Sequence, residues 1–127
     1  MPTKEMTAEN FATTVDTNDI VIVDFWADWC GPCKQFAPVF EASSAKNPDI
    51  VYAKVDTEAQ QALAAQANIT AIPTLMVFKD QTLIFNQAGA LPPQALDSLI
   101  EQVRAVDIPA LKAQAEAEAG AGTPTDS

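Results

Sequence analysis

The chain has 127 residues and a mass of 13.5 kDa, with 17 acidic against 7 basic residues and a net charge of -10, which fits one compact domain and argues against a phosphate-tracking nucleic-acid binder. It contains two cysteines and no histidine, so Ser-His-Asp triads, HExxH zinc sites and histidine pH switches are excluded, and chemistry must run on thiols, carboxylates or lysine. No run of about 18 uninterrupted apolar residues occurs, and the start Met1-Pro2-Thr3-Lys4-Glu5 has no apolar signal core, so a soluble cytoplasmic protein without membrane association is expected.

In chain order, Thr7 followed by Ala8, Glu9, Asn10 and Phe11 predicts a capped short helix ending near the Asp16 to Asp19 turn. Ile20 to Trp26 is a continuous β-prone run, the pattern of a central strand covered on both faces. Cys33, Phe36, Ala37 and Phe40 then follow the i, i+3, i+4, i+7 spacing of a helix with one buried stripe, interrupted by Pro38, where a kink is expected. Ile50 to Val55 predicts a second strand, Glu58 to Ala67 a second helix rich in alanine and glutamine, and Thr74 to Lys79 a third strand. Leu83 to Asn86 follows as a fourth strand, antiparallel to its neighbour because the turn at Asp80 and Gln81 is so short. Leu96, Leu99, Ile100 and Val103 mark an amphipathic helix opened by Pro92 and Pro93. This order predicts an α/β fold with a central mixed β-sheet and helices on both faces. The domain is expected over residues 1 to 107, and the Ala- and Glu-rich residues 108 to 127 are expected to form a disordered or partly helical tail.

Trp29-Cys30-Gly31-Pro32-Cys33-Lys34 lies just past the central strand and runs into the next helix, where open α/β sheets place their ligand sites. Cys30 therefore falls at a helix N-terminus, whose unpaired N–H groups and dipole favour a thiolate, the reactive form. It is the expected nucleophile. Cys33, one turn further on the apolar stripe, is the expected resolving thiol and the more buried of the two. Gly31 permits a tight turn, and Pro32 has a fixed φ suited to the first helical turn.

A purely structural Cys30–Cys33 bridge would close so short a loop that it contributes roughly 2 kcal/mol, against nearly 5 for a long loop. It is a poor staple. Two cysteines supply only half of a tetrahedral zinc site, so a metal would need a second chain, and none is expected.

Asp24 is a carboxylate inside an apolar strand, on one face with Ile22 and Trp26. It either reaches solvent at the strand end or is desolvated, its pKa raised so that it relays protons near neutral pH. Lys54, flanked by Val51, Ala53 and Val55, either is a solvated strand lysine or pairs with Asp24 in space. Pro73 stands directly before a strand, and its bond to Ile72 is trans on base rates.

Taken together, Val23-Asp24-Phe25-Trp26-Ala27-Asp28-Trp29-Cys30-Gly31-Pro32-Cys33-Lys34, Ala53-Lys54-Val55-Asp56, Ile72-Pro73-Thr74 and Gly89-Ala90 resemble the thioredoxin family over about residues 3 to 107. The resemblance implies a thioredoxin fold and a protein disulfide reductase working through the redox-active pair Cys30 and Cys33. It implies that Asp24 is the proton acceptor, that Lys54 modulates it, and that Pro73 is cis beside the dithiol. Trp29, Gly31, Pro32, Ile72, Pro73 and the Gly89 turn would form the docking surface for disulfide substrates. No cofactor would be bound: electrons would come from NADPH through a flavoprotein thioredoxin reductase, and a monomer suffices. Asp80-Gln81-Thr82 departs from the family's common Asn-Gly or Asp-Gly turn, which leaves the turn type open. A disulfide oxidase or isomerase, and a binding module without thiol turnover, are the other readings of the same motif.

Overall fold

The structure, a computed structural model, describes residues 3 to 121. Its elements in order are β1 (Thr3–Glu5), α1 (Phe11–Thr17), β2 (Ile20–Trp26), α2 (Gly31–Lys46), β3 (Val51–Asp56), α3 (Gln61–Gln66), β4 (Thr74–Lys79), β5 (Thr82–Ala88), α4 (Pro93–Ala105) and α5 (Ile108–Ala121). The strands form one sheet in the order β1-β3-β2-β4-β5, with β1, β3 and β2 parallel and β4 and β5 antiparallel.

The strand β2 lies at the centre because both of its faces are apolar. Ile20 and Ile22 point into a core with Phe36 and Phe40 of α2 and with Leu96, Leu99, Ile100 and Val103 of α4. Val21, Val23 and Phe25 point into a second core with Met6 and Leu63, against which Phe11 packs. Side-chain alternation thus assigns α2 and α4 to one face and α1 and α3 to the other.

Several boundaries differ from the sequence expectation for identifiable reasons. Thr7 caps, but it caps a turn: its Oγ1 accepts the Asn10 N–H at 3.3 Å and the Asn10 Oδ1 accepts the Thr7 N–H at 2.8 Å, so α1 begins only at Phe11. The helix expected from Glu58 starts at Gln61, because Asp56 Oδ1 accepts the N–H groups of Glu58 and Ala59 at 2.9 and 3.3 Å and holds them in a preceding turn. The strand β1 has no apolar alternation to reveal it, since it is a short edge strand joined through its backbone to β3. The helix α2 continues through Pro38 to Lys46. The β4–β5 hairpin has a two-residue loop in which Asp80 and Gln81 both take positive φ, 48° and 67°, the type I′ pattern made without glycine.

After α4, the chain turns at Val106 and Asp107 into α5, whose Ile108 is 3 % exposed while Pro109 to Glu118 lie at the surface. Residues 122 to 127 of the expected tail lie outside the described residues. The turn is held by Lys79 at the end of β4, whose Nζ donates to the carbonyls of Val103 (2.8 Å), Arg104 (2.9 Å) and Val106 (2.7 Å). One ammonium thus serves three carbonyls at the end of α4, of which that of Val103 also accepts the Val106 N–H at 3.2 Å. Lys79→Met, which keeps the aliphatic stem, should lower the unfolding free energy in urea by about 2 kcal/mol, the scale of charge-assisted hydrogen bonds. An unchanged midpoint would show that water serves those carbonyls equally well.

Candidate active site

The site forms where β2 ends and α2 begins. Cys30 is the N-cap of α2, Pro32 occupies its first turn, and the Cys33 N–H donates to Cys30 Sγ at 3.2 Å. This is the anion-favouring geometry of a helix start, directed at a sulfur. Cys30 and Cys33 are joined as a disulfide with Cα atoms 5.2 Å apart, so the structure represents the oxidised form. Whole-residue exposure does not separate the two, at 4 % and 3 %; they differ in position, Cys30 capping the helix and Cys33 lying inside its first turn.

Opposite the disulfide lies the loop before β4. The Ile72–Pro73 peptide bond is cis, as the family resemblance implies and against the base rate. The Ile72 carbonyl oxygen lies 3.8 Å from Cys30 Sγ, and Ile72 packs against Ala27 and the two cysteines. The Pro73 carbonyl accepts the Gly89 N–H at 2.8 Å, and Gly89 has φ +110°, a conformation glycine adopts without strain. The expected docking residues thus come from three separate segments: Trp29, Gly31 and Pro32 from the junction of β2 and α2, Ile72 and Pro73 from the loop before β4, and Gly89 from the end of β5.

Trp29 is 69 % exposed, and its Nε1 donates to Glu58 Oε2 at 3.1 Å. The segment carrying Glu58 is tied to the end of β2, since the Thr57 N–H and Oγ1 both donate to the Trp26 carbonyl at 2.9 and 3.0 Å. Sequence reasoning missed Glu58 and Thr57 as site residues; a predicted helix start at Glu58 carries no sign that the carboxylate turns back toward Trp29.

Asp24 is 1 % exposed, which overturns its reading as a strand-end carboxylate in solvent. It lies on the face of β2 covered by α2, and neither carboxyl oxygen has a hydrogen-bond partner among the described residues. Burial pushes its pKa up to about 7, and the Lys54 charge acts in the opposite direction. Lys54 is the register partner of Asp24 across β2 and β3, so the two side chains share a face. They make no ion pair: those among the described residues are Lys46–Asp97 and Arg104–Asp49. The Lys54 ammonium instead lies over the Trp26 ring, 5.1 Å from its centroid. No group of three or more Cys, Asp or Glu among the described residues is arranged to hold a metal ion, and no helix there is long and apolar enough to cross a membrane.

A dithiol at a helix N-terminus facing a cis-proline loop, on a five-stranded mixed sheet, defines a thiol-disulfide oxidoreductase of the α/β class. The thioredoxin family model matches residues 2 to 102. A protein designated thioredoxin 2 in Streptomyces coelicolor is 53 % identical over 121 residues, covering 94 % of this chain and 90 % of the relative. Thioredoxin C-3 of Corynebacterium nephridii is 39 % identical over 99 residues, covering 77 % of this chain and 68 % of the relative. Among solved structures, Plasmodium falciparum thioredoxin aligns with a TM-score of 0.72 at 38 % identity, covering 78 % of this chain and 97 % of that one. Oxidised mitochondrial thioredoxin 3 of Saccharomyces cerevisiae aligns with a TM-score of 0.73 at 33 % identity, covering 79 % and 94 %. The chain belongs to the thioredoxin family and is a disulfide oxidoreductase with the thioredoxin fold.

Proposed function

We propose that the protein reduces disulfides in other proteins by dithiol exchange at Cys30 and Cys33, and that each site residue has a distinct part in it. The observation that carries this reading is the Cys33 N–H directed at Cys30 Sγ beside the cis Ile72–Pro73 bond, which favours negative charge on that one sulfur next to an extended loop. In the reduced protein, the Cys30 thiolate attacks a substrate disulfide, forms a mixed disulfide and expels one substrate thiolate, which takes up a proton. Cys33 then gives its proton to the Asp24 carboxylate through water and attacks Cys30 Sγ, expelling the second substrate thiolate. Two electrons pass from the dithiol to the substrate, leaving Cys30–Cys33 oxidised as in the structure.

Lys54 moderates the charge of Asp24, whose burial keeps its proton affinity near neutrality. Trp29, Gly31, Pro32, Ile72, Pro73 and Gly89 dock the substrate segment. A flavoprotein thioredoxin reductase working in the cytoplasm returns the electrons from NADPH, and this chain binds neither the nucleotide nor a metal. Insulin reduction coupled to NADPH consumption, with a thioredoxin reductase present, tests the whole cycle. Turnover is expected, and its absence with an active reductase would reject the reading in favour of a binding module.

A further inference from the structure

The sheet register places three charges in one row. Glu5 of β1 is the partner of Lys54 in β3, and Lys54 is the partner of Asp24 in β2, so all three side chains leave the sheet on the same face. The row continues to Leu75 of β4, which is uncharged and buried, so Asp24 meets a charged register neighbour only on the Lys54 side. Lys54 thus stands between two carboxylates. Its ammonium is ion-paired with neither and lies over Trp26, in a surface pocket of about 210 Å3 lined by Thr3, Lys4, Glu5, Trp26, Lys54 and Asp56. Glu5 is exposed and Asp24 is buried, so the two ask different things of the same cation.

We propose that Glu5 is a positioning residue for the thiol chemistry: its carboxylate draws the Lys54 ammonium toward the sheet edge and so weakens the hold of Lys54 on Asp24. Without that competitor, Lys54 turns inward, stabilises the Asp24 carboxylate and makes it a weaker base. Other charges bordering this face are Asp56 on β3, Lys4 at the pocket rim, and Glu41 of α2, whose Oε2 accepts the Thr3 hydroxyl at 2.7 Å. Lys34 lies in the first turn of α2. None of these is altered by a change at Glu5, and β1 pairs through its backbone, so the edge strand stays in place.

This inference rests on Asp24 being the proton acceptor for its catalytic meaning, but its test reads Asp24 directly. The Asp24 carboxyl midpoint is followed by carbon-13 NMR in the oxidised full chain, in wild type and in Glu5→Gln, Glu5→Asp, Lys54→Met and the Glu5→Gln/Lys54→Met double variant. Glu5→Gln should lower the midpoint by about half a pH unit, a fraction of what an opposite charge at close range imposes. Glu5→Asp, which keeps the charge, should restore most of the wild-type value. In the Lys54→Met background the Glu5→Gln shift should shrink to a small remainder. The same drop in that background would show that Glu5 acts on Asp24 without Lys54, and an unmoved midpoint in Glu5→Gln would show that it does not act at all. Either result overturns the proposal. Should Asp24 prove not to be the proton acceptor, the midpoint would still move while the pH profile of turnover would not, which separates the two failures.

Discussion

Cys33→Ser should turn the protein from a turnover catalyst into a covalent trap. With serine in place of the second sulfur, the Cys30 thiolate still attacks a substrate disulfide, but nothing within the chain can displace the product, because Cys30 and Cys33 are its only cysteines. The mixed disulfide should accumulate at one substrate per chain, visible by non-reducing electrophoresis and intact mass. Steady-state insulin reduction should fall by about three orders of magnitude or more, as expected when one member of a cooperating pair is removed. Cys30→Ser should give neither turnover nor trapping. The remaining thiol of that variant lies inside the first turn of α2 and lacks the N-cap position that directs an N–H at Cys30. Equal trapping by Cys30→Ser, together with a competent Cys33→Ser reductase, would reverse the assignment of the two sulfurs.

The second large effect concerns Asp24, where catalysis and stability pull in opposite directions. Its carboxyl pKa rises from 3.8 to about 7 on folding, chiefly because burial penalises the charged form. Between those values the native state holds a proton that the unfolded chain has lost. Stability therefore declines as pH rises from about 4 to about 7 and levels off above; it is the unusual acidic group whose contribution is best at low pH. A shift of that size corresponds to roughly 4 kcal/mol at pH 8. Asp24→Asn removes the buried charge, so it should raise stability by up to roughly that amount at pH 8 and by almost nothing at pH 3.5. Urea unfolding at the two pH values reads the difference directly. The same variant should slow release of the mixed disulfide at pH 7 by about a hundredfold, the low end of general-base contributions, and lose the rate rise that wild type shows near pH 7. Equal stability gains at both pH values would place the cost of Asp24 in packing and not in its charge. A retained rate and pH profile would remove Asp24 from the mechanism.

Much of this was legible in the residues, and the exceptions share a cause. The central strand announced itself because Ile20 to Phe25 is buried on both faces, and α4 because its apolar stripe faces one core. The dithiol was legible from spacing and from its place between a strand and a helix. Features set by partners distant in sequence were not. The strand β1 exists through pairing with β3, some fifty residues away, and its own residues are polar. Glu58 reaches Trp29 across 29 positions, and the turn that aims it is fixed by a single aspartate oxygen. The Asp24–Lys54 adjacency needed the parallel register of two strands that the chain does not connect directly. The Asp80–Gln81 turn was placed by its residues but its type was not, since Gln81, in place of the usual glycine, gives no sign of the positive φ that the hairpin imposes.

The strand order also bears on how the protein is made. The middle position of β2 is defined by β3 on one side and β4 on the other, and both follow it in sequence. During synthesis the strand that leads into the thiol pair can pair with β3 once Asp56 has emerged, but its other edge stays open until Lys79, the last residue of β4, has emerged. Cys30 and Cys33 therefore pass through a period in which α2 can already form but the Ile72–Pro73 loop does not yet lie against them. The selectivity of the finished site is acquired only when the second half of the polypeptide closes over the first.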